Sequence, residues 1–402
     1  MSFQQGLSGL NSSAKALDAI GNNVSNSSTV GFKSSGAQFA DVFAASLTGG
    51  GAGQVGIGTT INSVKQTFTQ GNISVTNNPL DVAINGGGFF RMSDNGAISY
   101  TRNGQFLIDK DGYVVNAANY RLTGYAATTT GVIVPSTPAE IQVDTSDLTP
   151  QASTLATVGL NLDSRQTVPA AAFSIADPTS YNASTSMTVY DTLGNGHVLG
   201  VYFRKTATAN QWSLYTNLDG AAPVGPTTVA FTAAGQLSTA MPLAQSFAVT
   251  TGATSPLTFN LDFSGSTQFG SNFGVNRIVQ NGYTSGRLSG VVIGTDGVVQ
   301  GRYSNGQSRN LAQVVLVNFN NPNGLQPMGG NQWAETSVSG QPIVGAPGSG
   351  TLGVLQSAAV EESNVDLTAE LVSMITAQRN YQANAQSIKT QDQILQTLVN
   401  LR

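Results

Sequence analysis

Apolar residues recur with a seven-residue period at both ends of the chain, whereas the positions between the ends alternate as in β-strands. The N-terminal stripe consists of Phe3, Leu7, Leu10, Ala14, Leu17, Gly21 and Val24. The C-terminal stripe consists of Leu371, Met374, Gln378, Tyr381, Ala385, Ile388, Asp392, Leu395 and Val399. Spacings that alternate between three and four residues keep one helix face turned toward a partner, so the pattern predicts two coiled-coil helices.

The ends of the two predicted helices carry recognisable signals. The first helix is expected from about Ser2 to Ser25, where an Asn- and Ser-rich stretch favours turns. The second begins near Asp366, a good N-terminal cap, and has Glu370 in its first turn. Glycine, glutamine and aspartate interrupt the stripes, so each helix alone is marginal in water. We therefore expect both ends to be disordered in the free monomer and to order in the assembly.

The middle of the chain has the pattern of a β-protein. Leu80, Val82 and Ile84 alternate with polar or small residues, which predicts a strand with one buried face. Leu311–Phe319 is almost continuously apolar and predicts one central strand. Tight hairpins are predicted by Asn95-Gly96, Asn103-Gly104, Asp111-Gly112, Asn305-Gly306 and the turn at Asp191–Gly196.

These patterns predict a mainly β fold with α-helical termini and two β-rich regions between the terminal helices. Thr48–Thr60 is rich in glycine and is predicted to be a mobile loop.

Composition narrows the possible functions. Only 9% of the 402 residues are charged and cysteine is absent, although the hydrophobic share is an ordinary 40%. The net charge is -4 and no Lys/Arg cluster stands out, which argues against nucleic-acid binding. We find neither a signal peptide nor an apolar run that would span a membrane, so we expect export without a cleaved leader and no membrane insertion.

None of the motifs in the sequence has the features that a catalytic, cofactor-binding or metal-binding site requires. The single histidine, His197, follows a turn and has no obvious partner in the sequence. The glycine spacing of Gly51, Gly53 and Gly56 precedes a β-like run rather than a helix. Asp109–Gly112 lacks the twelfth-position glutamate of a calcium loop and is predicted to be a turn. The acidic pair Glu361-Glu362 precedes the last helix, where negative charge is favourable.

A set of ordered motifs resembles the bacterial flagellar rod and hook protein family. Its N-terminal members are Leu7–Leu10, Ile20–Asn26 and Gly31–Lys33. The first β region contributes Leu80–Gly86, Gly88–Phe90, Tyr100–Phe106 and Leu122–Tyr125, and the C-terminus contributes Ser363–Leu367 and Ala377–Asn384. The length of the chain and its ending, Lys389–Arg402, favour the hook branch over the distal rod branch. The resemblance implies that an outer β-rich domain is inserted into an inner one. The domains expected from it are a terminal-helix coiled-coil domain (1–28 and 366–402), a connecting segment with the glycine-rich loop (29–70 and 359–365), an inner β domain (71–144 and 285–358) and an outer inserted β domain (145–284).

The resemblance implies a structural protein that is not an enzyme and has no cofactor. It implies self-polymerisation into a curved flexible tube that joins rod to filament and transmits motor torque as a universal joint. The implied partners are other copies of the chain, the distal rod protein, the hook cap protein, the hook-filament junction protein and the flagellar type III export apparatus. The implied location is the flagellum, at the basal body and hook.

Assembly is expected to bury the large residues of both stripes. The predicted self-assembly interface consists of Phe3, Leu7, Leu10, Leu17, Val24, Leu371, Met374, Tyr381, Ile388 and Leu395. Two alternatives remain open at this point. One is a distal rod component, and the other is a secreted β-sandwich that binds or acts on carbohydrate.

Overall fold

The computed structural model describes residues 2–42 and 56–400. Two compact units divide the chain. The terminal unit comprises Met1–Asp144, Gly290–Arg302 and Ser308–Arg402, and the inserted unit comprises Thr145–Ser289 with Tyr303–Gln307. The finer division into four segments remains a prediction.

The chain order of elements is helix, many short strands, helix. The first part contains α1 (Ser2–Ser25), β1 (Ser35–Val42), β2 (Gly58–Gln66), β3 (Ile73–Val75), β4 (Val82–Asn85), β5 (Phe89–Asp94), β6 (Ala97–Thr101), β7 (Leu107–Ile108), β8 (Val114–Val115), β9 (Arg121–Ala126) and β10 (Ala139–Glu140). The middle contains β11 (Leu155–Asp163), β12 (Ala183–Tyr190), β13 (Gly196–Lys205), β14 (Gln211–Leu218), β15 (Val224–Ala230), β16 (Leu243–Phe247), β17 (Leu257–Asp262), β18 (Thr267–Phe269) and β19 (Gly274–Gln280). The last part contains β20 (Leu288–Ile293), β21 (Val298–Tyr303), β22 (Ser308–Val314), β23 (Leu316–Asn318), β24 (Gln326–Gly329), β25 (Gln332–Ala334), β26 (Ile343–Gly345), β27 (Val354–Ser357), β28 (Ala359–Glu361) and α2 (Leu367–Asn400).

The terminal unit is organised around one branched sheet with the main path β20-β21-β22-β9-β5-β6-β25-β24. Chain segments far apart in sequence meet in it, because β5 pairs with β6, β9 and β23. An aromatic cluster forms its core, where Phe89 and Trp333 meet edge to face at 5.7 Å and Tyr100 meets Phe319 at 4.8 Å. Both ends of the chain are therefore joined through one folded body.

The inserted unit is a β-sandwich with one apolar core. One sheet has the order β16-β17-β11-β18 with β19 also on β11, and the other has the order β12-β13-β14-β15. Inward residues of both sheets share the core, as when Phe203 and Phe263 meet at 5.5 Å. Trp212, Leu214 and Thr216 are buried on one face of β14.

Most of the predicted tight turns are hairpins. Asn95 and Gly96 both have positive φ and join β5 to β6. The Asp191–Gly196 turn joins β12 to β13, and Asn305-Gly306 joins β21 to β22. The Asn103-Gly104 prediction was wrong, because β6 and β7 do not pair. Gly104 is needed there for another reason: a Cβ atom would collide with the carbonyl oxygen of Val82.

The apolar run Leu311–Phe319 is two strands rather than one. β22 ends at Val314 and β23 begins at Leu316. β22 lies between β21 and β9, whereas β23 lies between β26 and β5, so the chain changes neighbours at Val315. The run is almost continuously apolar because both strands are central in the sheet, and that central position was predicted from the sequence.

The helix predictions agree with the structure. α1 spans Ser2–Ser25, and α2 begins at Leu367, directly after the predicted cap Asp366. The predicted glycine-rich loop Thr48–Thr60 lies largely outside the described residues, which resume at residue 56. Among the helices described, neither is both long and apolar enough to cross a bilayer.

Candidate assembly surface on the terminal helices

The N-terminus of α2 is fixed by a side-chain cap. Asp366 Oδ1 accepts hydrogen bonds from the backbone N–H groups of Thr368 at 2.9 Å and Ala369 at 3.1 Å. These bonds satisfy donors that a helix start leaves without partners. Glu370 lies in the first turn, where the helix dipole favours its charge. The 34-residue α2 is therefore about 50 Å long from a defined starting point.

α1 and α2 pack against each other in antiparallel directions along a seam of small and polar residues. A Cβ atom on Gly6 would lie 3.0 Å from Ile388 Cγ1, and one on Gly9 would lie 2.9 Å from the Asn384 side chain. At the other end of the pair, Asn23 Nδ2 donates to Glu370 Oε1 at 2.9 Å. Glycine on α1 thus permits a backbone approach that larger side chains would prevent.

The seam leaves the largest stripe residues uncovered. Phe3, Leu7, Leu371, Tyr381 and Leu395 are each between 37% and 56% exposed. The half-buried members of the predicted interface are Leu10, Leu17, Val24, Met374 and Ile388. Of these ten residues, Ile388 lies directly against the other helix at Gly6. In the single chain, glycines on α1 allow close approach to Ile388 and Asn384, while five large residues of the predicted interface remain exposed to solvent.

Sequence reasoning missed part of the apolar surface of α2. Val372, Ile375 and Ile394 are more than half exposed, and none of them belongs to the stripe. Each stands beside a stripe residue, which makes the pairs Leu371-Val372, Met374-Ile375 and Ile394-Leu395. Such adjacent pairs widen an apolar stripe toward a second helix face and were the available signal. α2 therefore offers apolar surface in more than one direction.

The strands β1 and β2 hold the other side of α1. Gln5 Nε2 donates to the carbonyl oxygen of Gly56 at 2.6 Å, and the hydroxyl groups of Ser12 and Thr59 are 2.6 Å apart. Thr59 N also donates to Ser8 Oγ at 3.2 Å. These polar contacts fix the rotation of α1 about its axis, and so determine which of its side chains face outward.

A buried ion cluster anchors the segments that lead into both helices. Glu361 Oε1 lies 2.6 Å from Lys33 Nζ, and Glu361 Oε2 lies 3.1 Å from Arg102 Nη1. The Glu361 side chain is fully buried, and its Oε1 also accepts the Gly71 N–H at 2.9 Å. The backbone carbonyl of Glu361 accepts the Gly31 N–H at 2.8 Å. One residue thus joins the chain after α1, the β6 end and the chain before α2.

The electrostatics of this cluster are set by desolvation. Burial lowers the pKa of Lys33 and of Arg102, and the nearby Glu361 carboxylate acts against that shift in both. Two buried cations share one carboxylate, so neither can lose it without leaving an unpaired buried charge.

The position of Glu361 corrects a sequence interpretation. Its acidic side chain does not serve the start of α2, because it is enclosed between Lys33 and Arg102. Both cations lie in the motifs Gly31–Lys33 and Tyr100–Phe106. A chain with only 17 lysines and arginines that places one in each motif offered a signal that the sequence analysis left unused.

His197 is held in a structural network of the inserted unit. Its Nδ1 lies 2.6 Å from Asp219 Oδ2 and its Nε2 lies 3.2 Å from Asp191 Oδ2. Thr251 Oγ1 donates to the same Asp191 oxygen at 2.6 Å. Asp191 lies in the turn directly before His197, whereas Asp219 and Thr251 come from two other loops.

The remaining motifs considered in the sequence analysis are turns or lie outside the described residues. Asp109 Oδ1 accepts the N–H groups of Asp111 and Tyr113 at 2.9 and 2.7 Å, as a turn requires. Gly51 and Gly53 lie outside the described residues. Within residues 2–42 and 56–400, no cluster of three or more acidic, histidine or cysteine side chains could hold a metal ion.

Four family models match consecutive parts of the chain. Residues 3–33 match the flagella basal body rod protein model, and residues 83–148 match the flagellar hook protein FlgE/F/G D1 domain. Residues 161–283 match the flagellar basal body protein FlaE D2 domain, and residues 356–401 match the flagellar basal body rod FlgEFG protein C-terminal model. The terminal matches cover both helices, and the D2 match falls within the inserted unit.

Comparison with known proteins extends over the whole length. The flagellar hook protein FlgE of Salmonella typhimurium is 46% identical over 414 residues, with 100% of both chains covered. FlgE of Escherichia coli is 45% identical over 416 residues with the same coverage. FlgE of Brucella suis is 33% identical over 405 residues, covering 100% of this chain and 98% of that protein.

A solved structure supports the fold independently of close sequence similarity. The crystal structure of Helicobacter pylori flagellar hook protein FlgE2 matches with a TM-score of 0.53 at 16% identity. That match covers 72% of this chain and 100% of the other. With full-length relatives at 45–46% identity and hook-domain models in order along the sequence, the chain belongs to the flagellar hook protein FlgE family.

Proposed function

We propose that this chain is the structural subunit of a bacterial flagellar hook, and that copies join mainly through the outward faces of α1 and α2. The polymer is a curved flexible tube between rod and filament that transmits motor torque as a universal joint. The observation that carries the proposal is that Phe3, Leu7, Leu371 and Leu395 remain 44–56% exposed although α1 and α2 pack against each other.

The energetics favour covering these side chains with other copies. Burying one large apolar side chain completely contributes about 1.5–3 kcal/mol. Phe3, Leu7, Leu371 and Leu395 are about half covered in the single chain, so each retains a good part of that free energy for assembly. Contiguous exposed apolar surface of this kind marks an interaction site rather than a solvent-facing surface.

The ion cluster supports a role in carrying load. Lys33 lies eight residues after the end of α1, and Glu361 lies shortly before the start of α2. Because Glu361 and Arg102 connect these two segments to the sheet, force on either helix is delivered to the terminal unit at one buried point. Such a connection suits a subunit that has to pass torque without unfolding.

Partners and delivery follow from membership of this family. We infer contacts with the distal rod protein at one end of the tube and with the hook-filament junction protein at the other. We infer assembly beneath a hook cap protein, with subunits exported unfolded through the flagellar type III apparatus. The absence of cysteine from the sequence fits a chain that needs no oxidative folding after export.

The test is to place a charge on the proposed surface. Leu7→Asp and Leu371→Asp should abolish tube formation, because a carboxylate would have to be buried without a partner. Val132→Asp is the matched control, since Val132 is an exposed valine in the β region. Electron microscopy of purified protein under salting-out conditions shows the tubes, and circular dichroism shows that the strands remain folded. Tubes from either helix variant, or from a chain trimmed of residues 1–28 and 366–402, would refute the proposed surface.

A distal rod component is the second candidate, because the models that match both ends are named for rod proteins. The same micrographs separate the two functions. A hook subunit forms curved tubes, whereas straight rigid assemblies would assign the chain to the rod.

A further inference from the structure

The inserted unit carries a groove whose floor is a single row of residues across three strands. Ser186 on β12 pairs with Gly200 on β13, and Gly200 pairs with Asn217 on β14. All three belong to the sheet face opposite the core, since their strand neighbours Met187, Leu199 and Leu218 are buried in the core. A Cβ atom on Gly200 would collide with Asn217 Oδ1 and would lie 3.0 Å from the Tyr202 hydroxyl. Glycine therefore lets the amide and the phenol ring lie flat on β13.

Aromatic side chains form one wall of this groove. Tyr202 and Tyr181 meet edge to face at 5.1 Å, and Phe173 packs against Tyr202 at 5.7 Å. Val198, which is 54% exposed, lies on the opposite side of the Gly200 row. The groove has a volume of about 630 Å³, within the range of small-ligand sites. Its lining residues include no charged side chain.

The polar groups of the groove lack protein partners. Asn217 is 4% exposed, yet none of the side-chain hydrogen bonds among the described residues involves its carboxamide. The hydroxyl groups of Ser186, Tyr181 and Tyr202 are likewise outside those hydrogen bonds. The Asn217 carboxamide and the three hydroxyl groups are reached by solvent, so a ligand that supplies donors and acceptors replaces the water bound to them.

We propose that this groove binds a neutral oligosaccharide. Sugar rings present apolar C–H faces that pack on aromatic rings, and hydroxyl groups that both donate and accept. The tyrosine wall meets the first requirement, while Asn217 and the hydroxyl groups meet the second. The absence of charge in the lining selects against anionic ligands. The groove belongs to the inserted unit, whereas the helix surface belongs to the terminal unit.

The competing occupant is a segment of a second copy of the chain. A protein segment would place backbone amides against Asn217 just as a sugar would place hydroxyl groups. The two occupants differ in what they require: a soluble pentasaccharide binds the monomer, whereas a second copy acts only during polymerisation. Titration of the monomer with sugars tests the first occupant, and the rate of tube formation tests the second.

Isothermal titration calorimetry on the full-length monomer tests the proposal with chitopentaose, cellopentaose and maltopentaose as probes. Binding of at least one probe with a dissociation constant of about 1 mM or tighter is expected. Gly200→Ala should weaken that binding by about tenfold or more, because the methyl group displaces the amide and the ring. Circular dichroism and thermal unfolding confirm that the variant is folded.

A matched pair of hydroxyl deletions separates the groove from general effects on the sheet. Tyr202→Phe removes a groove hydroxyl and should weaken binding several-fold. Tyr215→Phe removes a hydroxyl on the same sheet face, where the ring is stacked on Phe173 at 3.8 Å, and should leave binding unchanged. Equal losses in both variants would contradict the assigned geometry.

Three results would overturn the proposal. The first is the absence of heat with all three neutral probes. The second is equal or tighter binding of sialyllactose, which would show that charge is accepted. The third is slower tube formation by Gly200→Ala and Tyr202→Phe without sugar binding by the wild-type chain, which would assign the groove to a second copy. Failure of the hook function itself would show instead as a lack of tubes in the unmodified chain.

Discussion

Glu361 is the residue on which the terminal unit depends most at the scale of single side chains. It is the anionic partner of both Lys33 and Arg102, and all three side chains are at most 3% exposed. A buried ion pair adds little net stability compared with apolar residues, but removing one partner is costly because the other charge remains buried. Replacing Glu361 with a neutral residue would leave both Lys33 and Arg102 buried without an anionic partner.

We expect Glu361→Ala to destabilise the terminal unit by about 3–5 kcal/mol or more, the usual cost of breaking a buried pair. Urea unfolding of the full chain measures the effect by fluorescence in a Trp212→Phe background, which leaves Trp333 of the terminal unit as the single tryptophan. The neighbouring Glu362→Ala is the matched control. Its exposed side chain contacts Asn72 at 3.3 Å, so the change should stay within about 0.5 kcal/mol. Equal effects of the two substitutions would show that the cluster does not anchor the unit.

His197 makes the stability of the inserted unit depend on pH. Burial disfavours its charged form, but hydrogen bonds to Asp219 and Asp191 outweigh burial and raise the pKa of His197 above its ordinary 6.5. A raised pKa in the folded state means that the charged histidine stabilises the fold. That stabilisation is complete below the unfolded-state value and is lost as the pH rises through the folded-state value.

The only histidine of the chain gives a single imidazole resonance, so NMR titration reports this pKa directly. We expect a value above 6.5, and a thermal midpoint of the inserted unit that falls as the pH is raised from about 6.5 through that value. His197→Gln should abolish the fall, because glutamine does not titrate. A histidine pKa at or below 6.5 would contradict the network.

At the scale of elements, the pairing of α1 with α2 follows from where the small residues lie. Gly6 and Gly9 are three positions apart and face Ile388 and Asn384. Phe3 and Leu7 on the same helix remain 46% and 45% exposed. The chain itself therefore covers α1 with α2 and with β2, and leaves the start of the apolar stripe open.

Cysteine cross-linking can test this register, because the natural chain contains no cysteine. Gly6→Cys with Ile388→Cys should form a disulfide within one chain in assembled tubes, since a Cβ at position 6 lies close to Ile388. On a non-reducing gel the product runs as a monomer of altered mobility. Leu7→Cys with Ile388→Cys is the control and should not form it, because residue 7 points away from the seam. Dimers from the first pair would show that the seam lies between subunits.

The sequence was sufficient for those parts of the fold that depend on local physics. The bounds of α1 and α2 followed from periodicity and from the Asp366 cap, and most hairpins followed from residues that favour positive φ. The break at Val315 could not be predicted, because an almost continuously apolar run carries no sign of a change of neighbours. The partners of Glu361 were equally hidden, since Lys33 lies 328 residues away and only the tertiary fold brings the two together. Of the partners of His197, Asp191 lies in the predicted turn, whereas Asp219 and Thr251 lie beyond it.

The assembly surface on the terminal helices was predictable only in part, because the sequence shows which residues are apolar but not which residues meet between the two helices. The stripes identified large apolar residues at the helical ends, many of which are exposed in the chain. They did not reveal that Gly6 and Gly9 form the seam, because a glycine adds nothing to an apolar pattern. Whether both helices are ordered before assembly remains a prediction. Hydrogen exchange on the dilute monomer would test it, and strong protection of both helices would refute it.

At the scale of the whole molecule, low charge determines how assembly should respond to salt. Only 38 of the 402 residues are charged, so electrostatic repulsion and electrostatic attraction between copies are both weak. Raising NaCl from about 0.1 M to 1 M shortens the Debye length from about 10 Å to about 3 Å. We expect this to change the critical concentration for tube formation less than about threefold, whereas ammonium sulfate of equal ionic strength should lower it markedly, because sulfate strengthens apolar burial. Light scattering and pelleting measure both series. A strong dependence on NaCl, with no added effect of sulfate, would mean that ion pairs rather than apolar helix faces join the subunits.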